Sequence, residues 1–227
     1  MKSSKFGYDT DKYNFKKLFL ELYEIDDLHN LHNNLKKEYK VIDGLDGLGK
    51  DTDSEFHLLF YDKIREGWEE FQVLYESFII EAVIPKINLK TSIYQMYPSY
   101  RIQYPLSKAI TTLHCDSDEN HKHPLGEINI LIPLTTVKDS TAVWAESSPN
   151  NGDFKPMNCE YGEFYIWNGN TCRHFNKPNK TKKTRISMDF RVLPDKFYIN
   201  DYEKTSATSN KKFIIGDYYS TFGDKNV

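Results

Sequence analysis

Hydrophobic periodicity changes once along this chain, near residue 90, and that change limits the fold more than any other feature. Before it, apolar residues recur at helical spacing: Phe15, Leu18, Phe19 and Leu22 form one stripe, and Leu28, Leu31 and Leu35 a second, shorter one. Gly44, Gly47 and Gly49 break the pattern. Glu55–Ile64 and Trp68–Ile84 read as two further helices, with Gly67 between them and Pro85 as the stop. After residue 90 the chain reads as short strands separated by turn residues: 91–97, 100–104, 110–113, 127–133, 141–145, 163–167 and 184–193. Helices first and strands later imply an α+β arrangement, with the helices backing one face of a sandwich or barrel. The expected organisation is one domain: 1–88 mainly helical support, 89–200 the β core, and 201–227 a C-terminal extension.

The segment Thr184–Leu193 carries the clearest alternation. Arg185, Ser187, Asp189 and Arg191 share one parity, and Ile186, Met188, Phe190 and Val192 the other. Strand side chains alternate between faces, so the apolar set packs on the helices or another layer. The polar set faces solvent or a cavity, and parity alone favours the ordinary half-exposed strand. Glu127–Pro133 shows the same split more weakly, with Ile128, Ile130 and Ile132 opposing Glu127, Asn129 and Leu131.

Composition excludes several classes of protein. A formal charge of −3 and a pI near 6.2 argue against nucleic-acid binding, and the basic run from Lys177 to Arg185 reads as a solvated hairpin loop. Three cysteines, Cys115, Cys159 and Cys172, without a CxxC pair, argue against a disulfide framework and fit a reducing compartment. No apolar run reaches the length of a membrane span, and the first residues lack the apolar region of a signal peptide. The expected location is the cytoplasm.

His114-Cys115-Asp116 is the one His-x-Asp in the chain. Residues i and i+2 of a strand point the same way, so both side chains can reach one ion. Alone the pair is weak, since a chain of this composition contains one by chance about half the time. His174 follows 58 residues later, and Arg185-Ile186-Ser187 begins 11 residues after that. Two imidazoles and one carboxylate form a facial triad that leaves positions of an octahedral ion open. An arginine fork can then grip a carboxylate of a bidentate 2-oxo acid, and a hydroxyl two residues on can donate a second bond. Zinc is the main chemical competitor for such a set. Cys115 has the opposite parity to His114 and points away, whereas Cys172 shares the parity of His174 and is expected to be a small buried residue.

In this order the motifs resemble those of 2-oxoglutarate/Fe(II) dioxygenases. Over Tyr100–Pro194 they resemble more narrowly the streptomycin-biosynthesis StrG-like proteins. The segments that carry the likeness are Leu113–Asp116, Gly126–Asn129, Pro133–Thr135, Trp144–Ser147, Asn168–Asn170 and Thr184–Val192. The loop 117–125 does not keep the pattern. The resemblance implies a double-stranded β-helix (jelly-roll, cupin-like) core with the N-terminal helices on its larger sheet. It implies iron held by His114, Asp116 and His174, 2-oxoglutarate and O2 as co-substrates, and hydroxylation of an unactivated C–H of a small molecule such as an amino acid, sugar or natural-product scaffold. A carboxylate ligand argues against halogenation. Two other readings stay open: another cupin-like metalloenzyme, or a non-catalytic ligand-binding barrel.

Further candidates are weighed against blander roles. Asn129 and Gln103 are placed with Arg185 and Ser187 on the co-substrate, the alternative being satisfied cavity-wall amides. Arg101, His123, Trp144, Glu146 and Arg191 are candidate substrate contacts. A tryptophan at position 144 is more often core than pocket wall, and the alternative for Arg191 is a pairing with Asp189 or Glu146.

Overall fold

In the computed structural model, which describes residues 2–36 and 54–222, ten strands form two antiparallel sheets. They are β1 (Ser4–Gly7), β2 (Ile93–Gln95), β3 (Ser99–Gln103), β4 (Ile128–Pro133), β5 (Val143–Ala145), β6 (Lys155–Pro156), β7 (Glu163–Trp167), β8 (His174–Asn176), β9 (Arg185–Leu193) and β10 (Tyr219–Thr221). The larger sheet runs β1-β7-β4-β9-β2-β10, and β3 pairs with β9 alongside β2. The smaller runs β6-β5-β8 and is extended by a bridge between His114 and His174. From β3 onward the chain passes repeatedly from one sheet to the other, which is the winding of a double-stranded β-helix.

Among the described residues, three α-helices cover the outer face of the larger sheet: α1 (Phe15–Tyr23), α2 (Glu55–Arg65) and α3 (Glu69–Phe78). The first two begin on side-chain caps, Asn14 accepting from the Lys17 N–H and Ser54 from the His57 N–H. Phe15, Phe19 and Tyr23 of α1, Phe56, Phe60 and Ile64 of α2, and Phe71, Tyr75 and Phe78 of α3 are buried in one cluster with Ile130, Ile132, Ile186, Met188, Phe190 and Val192. Phe19 stacks on Tyr100 at 5.0 Å, and Tyr75 meets Phe190 edge-on at the same separation. The apolar parity of β4 and β9 therefore faces the helices. Among the described residues, no helix is long and apolar enough to cross a membrane.

Several elements differ from the pattern expected. Leu28–Asn34 is a tighter 3-10 turn, and the helix expected to continue through Ile84 passes after Phe78 into a wider turn and then a 3-10 turn containing Pro85. Residues 110–113 form no strand, and only His114 is bridged. The Gly44–Gly49 break lies outside the described residues. The first and last described strands both join the larger sheet: β1 pairs with β7, and β10 pairs with β2. The polar parity of β9 is not half-exposed. Eight of its nine residues are buried and the ninth, Asp189, is intermediate, because the smaller sheet covers that face and encloses a cavity.

Candidate metal centre

The cavity lies between the sheets. It is lined by Arg101 of β3, Leu131 of β4, Trp167 of β7 and Arg185, Asp189 and Arg191 of β9, and opposite them by His114, Thr111, Val143, His174 and Asn176. The two histidines face each other across a direct bridge: the His114 N–H donates to the His174 carbonyl at 3.1 Å, and the His174 N–H returns the bond at 2.7 Å. Their rings lie 4.2 Å apart. Asp116 is fixed by the turn after β7, its N–H donating to the Gly169 carbonyl at 3.0 Å.

His114 Nε2 lies 3.8 Å and His174 Nε2 3.7 Å from Asp116 Oδ1, and one ligand atom from each of the three residues falls within 4.8 Å of the others. Each imidazole places Nδ1 against the carbonyl two residues back, Thr112 at 2.7 Å and Cys172 at 3.1 Å. A carbonyl only accepts, so each Nδ1 carries the proton and each Nε2 lone pair is left for the centre. Burial, and then the neighbouring His174, holds His114 down to about 4, and burial lowers His174 too. Both are therefore neutral near pH 7, the form a metal needs.

The carboxylate of Asp116 is divided between two tasks. Oδ2 accepts from Asn129 Nδ2 at 2.7 Å, from Arg191 Nη2 at 2.9 Å and from Arg191 Nε at 3.1 Å. Oδ1 faces the two histidines. Burial would raise the acid, but Arg191 foremost, then His123, His174 and the Asn129 bond, hold it well below the usual carboxylate range. A second group, Asp116, His123 and Glu127, also lies within metal-binding distance. In it both oxygens of Glu127 are engaged: Oε2 pairs with His123 Nδ1 at 2.7 Å, and Oε1 accepts from the Tyr219 hydroxyl.

The residues present fit an ion and a further ligand. Two neutral imidazoles and one ionised carboxylate oxygen converge, and the buried Ser187 Oγ and Asn129 Oδ1 have no hydrogen-bond partner among the described residues. Ser187 and Asn129 lie on the cavity-side parity of β9 and β4, and Arg185, which shares that parity, is 2% exposed and lines the cavity.

The other candidates fall in different places. Asn129 spends its amide nitrogen on Asp116, and Gln103 donates to the Lys108 and Lys177 carbonyls at 3.1 and 2.8 Å. Arg101 lines the cavity, with Nε 3.7 Å from Asp189 Oδ1. Arg191 pairs with Asp189 at 2.7 Å and with Asp116, so its guanidinium is committed within the protein. Glu146 does not meet Arg191. It is buried, bound to Arg173 and to the N–H groups of Asn150, Gly152 and Arg173. Trp144 lies on the outer face of the smaller sheet, where its ring carries the Lys177 ammonium at 3.2 Å and stacks with Phe175. His123 is held by Glu127 and lies against Phe213 of the C-terminal extension at 4.4 Å. Trp167 and Tyr219 were not among the candidates, Gly169 entered only within the segment Asn168–Asn170, and no spacing rule marks a role for any of the three.

No protein-family model matches the sequence. Against curated proteins, the chain is 27% identical over 172 residues to the streptomycin biosynthesis protein StrG of Streptomyces griseus, covering 75% of this chain and 78% of that protein. The chain resembles StrG. Among solved structures, it aligns over 88% of its length with 77% of CytC3 with Fe(II) and alpha-ketoglutarate, at TM-score 0.48 and 12% identity. It aligns over 87% of its length with 92% of AviO1 from Streptomyces viridochromogenes, at TM-score 0.44 and 13% identity. The assignment of the architecture stands on the strand order itself.

Proposed function

We propose that this StrG-like chain is an Fe(II)- and 2-oxoglutarate-dependent oxygenase that hydroxylates an unactivated C–H of a small molecule. The observation that carries the proposal is the division of Asp116: one oxygen is saturated by Arg191 and Asn129, and the other is turned to two neutral imidazoles. In this assignment His114, Asp116 and His174 hold the metal, and Arg185 and Ser187 hold the far carboxylate of 2-oxoglutarate. When bound, the iron and the 2-oxo acid would supply the chemistry that activates O2, the oxidant, one oxygen atom going to the C–H as hydroxyl and the other to succinate as carbon dioxide leaves the 2-oxo acid. The chain's own residues bind, orient and shield. The Nδ1–H bonds of the histidines fix their rings. Arg191 and Asn129 keep Asp116 ionised and hold it in a single orientation. Arg185 presents a fixed fork to a carboxylate. Leu131, Val143 and Trp167 give the cavity its apolar wall and keep bulk water from the reacting C–H.

The test is anaerobic addition of Fe(II) and 2-oxoglutarate, with the weak visible charge-transfer band of the chelate as readout. His174→Ala is expected to abolish the band. Arg185→Ala is expected to keep Fe(II) affinity and weaken 2-oxoglutarate binding by about tenfold or more, the scale of a lost charged pair. A featureless wild-type spectrum supports a binding module instead. Turnover unaffected by Arg185→Ala supports a metalloenzyme that uses no 2-oxo acid. Succinate release across amino acids, sugars and natural-product scaffolds then identifies the substrate class.

A further inference from the structure

Trp167, the last residue of β7, is 4% exposed and lines the cavity beside His174. Its ring meets that imidazole edge to face, with centroids 4.8 Å apart and planes at 86°. The far edge of the indole is confined by the turn that follows, since a Cβ added at Gly169 would come within 2.7 Å of Trp167 Cη2 and 2.8 Å of Asn129 Nδ2. The ring is thus fixed in place, yet its buried Nε1–H has no acceptor among the described residues. The contrast with Trp144 is direct: that indole, on the outer face, donates to the Asp139 carbonyl at 2.8 Å. Buried tryptophans normally find an acceptor, because a stranded donor is destabilising.

Three facts identify the missing acceptor. An indole N–H only donates, so its partner is an oxygen or nitrogen lone pair. Among the described residues the cavity wall carries Arg101, Arg185 and Arg191 against one carboxylate, Asp189; with Asp116, paired to Arg191 behind it, the positive charges still exceed the negative by one, so it suits an anion. Across the sheet Trp167 is level with Asn129, and Asn129 with Arg191, the two residues that hold Asp116. Arg185 lies six residues further along β9, roughly 20 Å of extended strand. Trp167 therefore stands at the metal end of the cavity and Arg185 at the other. We propose that the Trp167 Nε1–H donates to the 2-oxo acid at its metal-chelating end, on a carboxylate oxygen, and so positions the co-substrate opposite the grip of Arg185. This rests on the oxygenase function proposed above.

The experiment uses Trp167→Phe, which removes the donor and keeps an aromatic ring. Calorimetric titration of 2-oxoglutarate into Ni(II)-loaded protein measures affinity without turnover. The variant is expected to bind 2-oxoglutarate roughly tenfold to hundredfold more weakly, the scale of a hydrogen bond to a charged group. Its Ni(II) affinity is expected to be unchanged, and the melting temperature of its metal-free form equal to or above wild type, because the stranded donor is gone. A purely structural tryptophan gives the reverse: a lower metal-free melting temperature and unchanged 2-oxoglutarate affinity. That outcome overturns the assignment of Trp167 and leaves the oxygenase reading intact, whereas wild-type protein that binds no 2-oxoglutarate overturns both. Should the variant fail to fold, the indole N–H signals of Zn(II)-loaded wild type decide the matter. Trp68→Phe and Trp144→Phe identify two of the three resonances, and the third is expected to move downfield on adding 2-oxoglutarate. A third resonance that does not move overturns the assignment.

Discussion

Arg191 balances the charge of the whole site, and its removal has a calculable cost. The side chain is 8% exposed and gives two hydrogen bonds to Asp116 Oδ2 and one, at 2.7 Å, to Asp189 Oδ2. Arg191→Met fills a similar volume but leaves Asp116 without its counter-charge and Asp189 with Arg101 alone, at 3.7 Å. Removing one partner of a buried ion pair costs about 3–5 kcal/mol. With a urea slope of about 2 kcal/mol/M, the unfolding midpoint in EDTA is expected to fall by about 1.5–2.5 M. Two further results follow from the same cause. Adding Asp189→Asn removes the second carboxylate that Arg191 had paired with and is expected to recover part of the loss. Mn(II) supplies the counter-charge that Asp116 has lost, so the metal-induced rise in midpoint is expected to be larger in Arg191→Met than in wild type. An undiminished midpoint in EDTA, or equal rises with Mn(II), would refute the reasoning, since it would mean that Asp116 does not depend on Arg191 for its charge.

Gly169→Ala forces a methyl to within 3 Å of both Trp167 and Asn129, an overpacking expected to cost about 1–3 kcal/mol. Because Asn129 holds Asp116, Mn(II) affinity is expected to fall as well, and urea melts with and without Mn(II) measure both effects. Glu146 tests the anchoring of the loop after β5. Burial raises its carboxyl, but the Arg173 side chain and three N–H groups outweigh this and bring it down to about 2 from an ordinary 4.5. The folded value lies below the unfolded one, so the stabilisation is present above pH 4.5 and lost as the pH falls toward 2. The gap in melting temperature between wild type and Glu146→Gln is therefore expected to narrow across that window, and a gap independent of pH counts against the contact.

What the sequence revealed and what it concealed both follow from strand length. The nine residues of β9 and six of β4 are long enough for alternation to separate a helix-facing side from a polar one, and both sides were readable. Parity could not say what covers the polar side. That depends on the smaller sheet, whose strands β5, β6 and β8 have three, two and three residues, too few to show a period. A half-exposed strand was accordingly the natural expectation for a face that is in fact enclosed. The same limit hid β1 and β10, whose short runs lack any apolar alternation and are recognisable as strands only by the edges they pair with.

The candidate metal ligands were legible for a different reason, and so was the misplacing of their neighbours. His-x-Asp on an extended segment fixes two donors on one side whatever surrounds them, and a distant histidine completes the set through chemistry alone. The partners of Asp116 depend on register, which brings Arg191, 75 residues away, within 2.9 Å. Spacing along the chain assigns a residue to a face but not to a row of the sheet. Trp167, Asn129 and Arg191 share one row, behind the metal end; Arg101 sits level with Ser187, two rows away. Parity put Arg191 on the polar side of β9 with Asp189 and left open a substrate contact or a pairing with Asp189 or Glu146; only the register brings its guanidinium onto Asp116 as well as Asp189. Once its guanidinium and the Asn129 amide saturate Oδ2, Asp116 has a single oxygen left to offer an ion. In the proposed function a carboxylate so restrained would offer an ion one oxygen rather than two, and so would suit a centre that must also admit a chelating co-substrate.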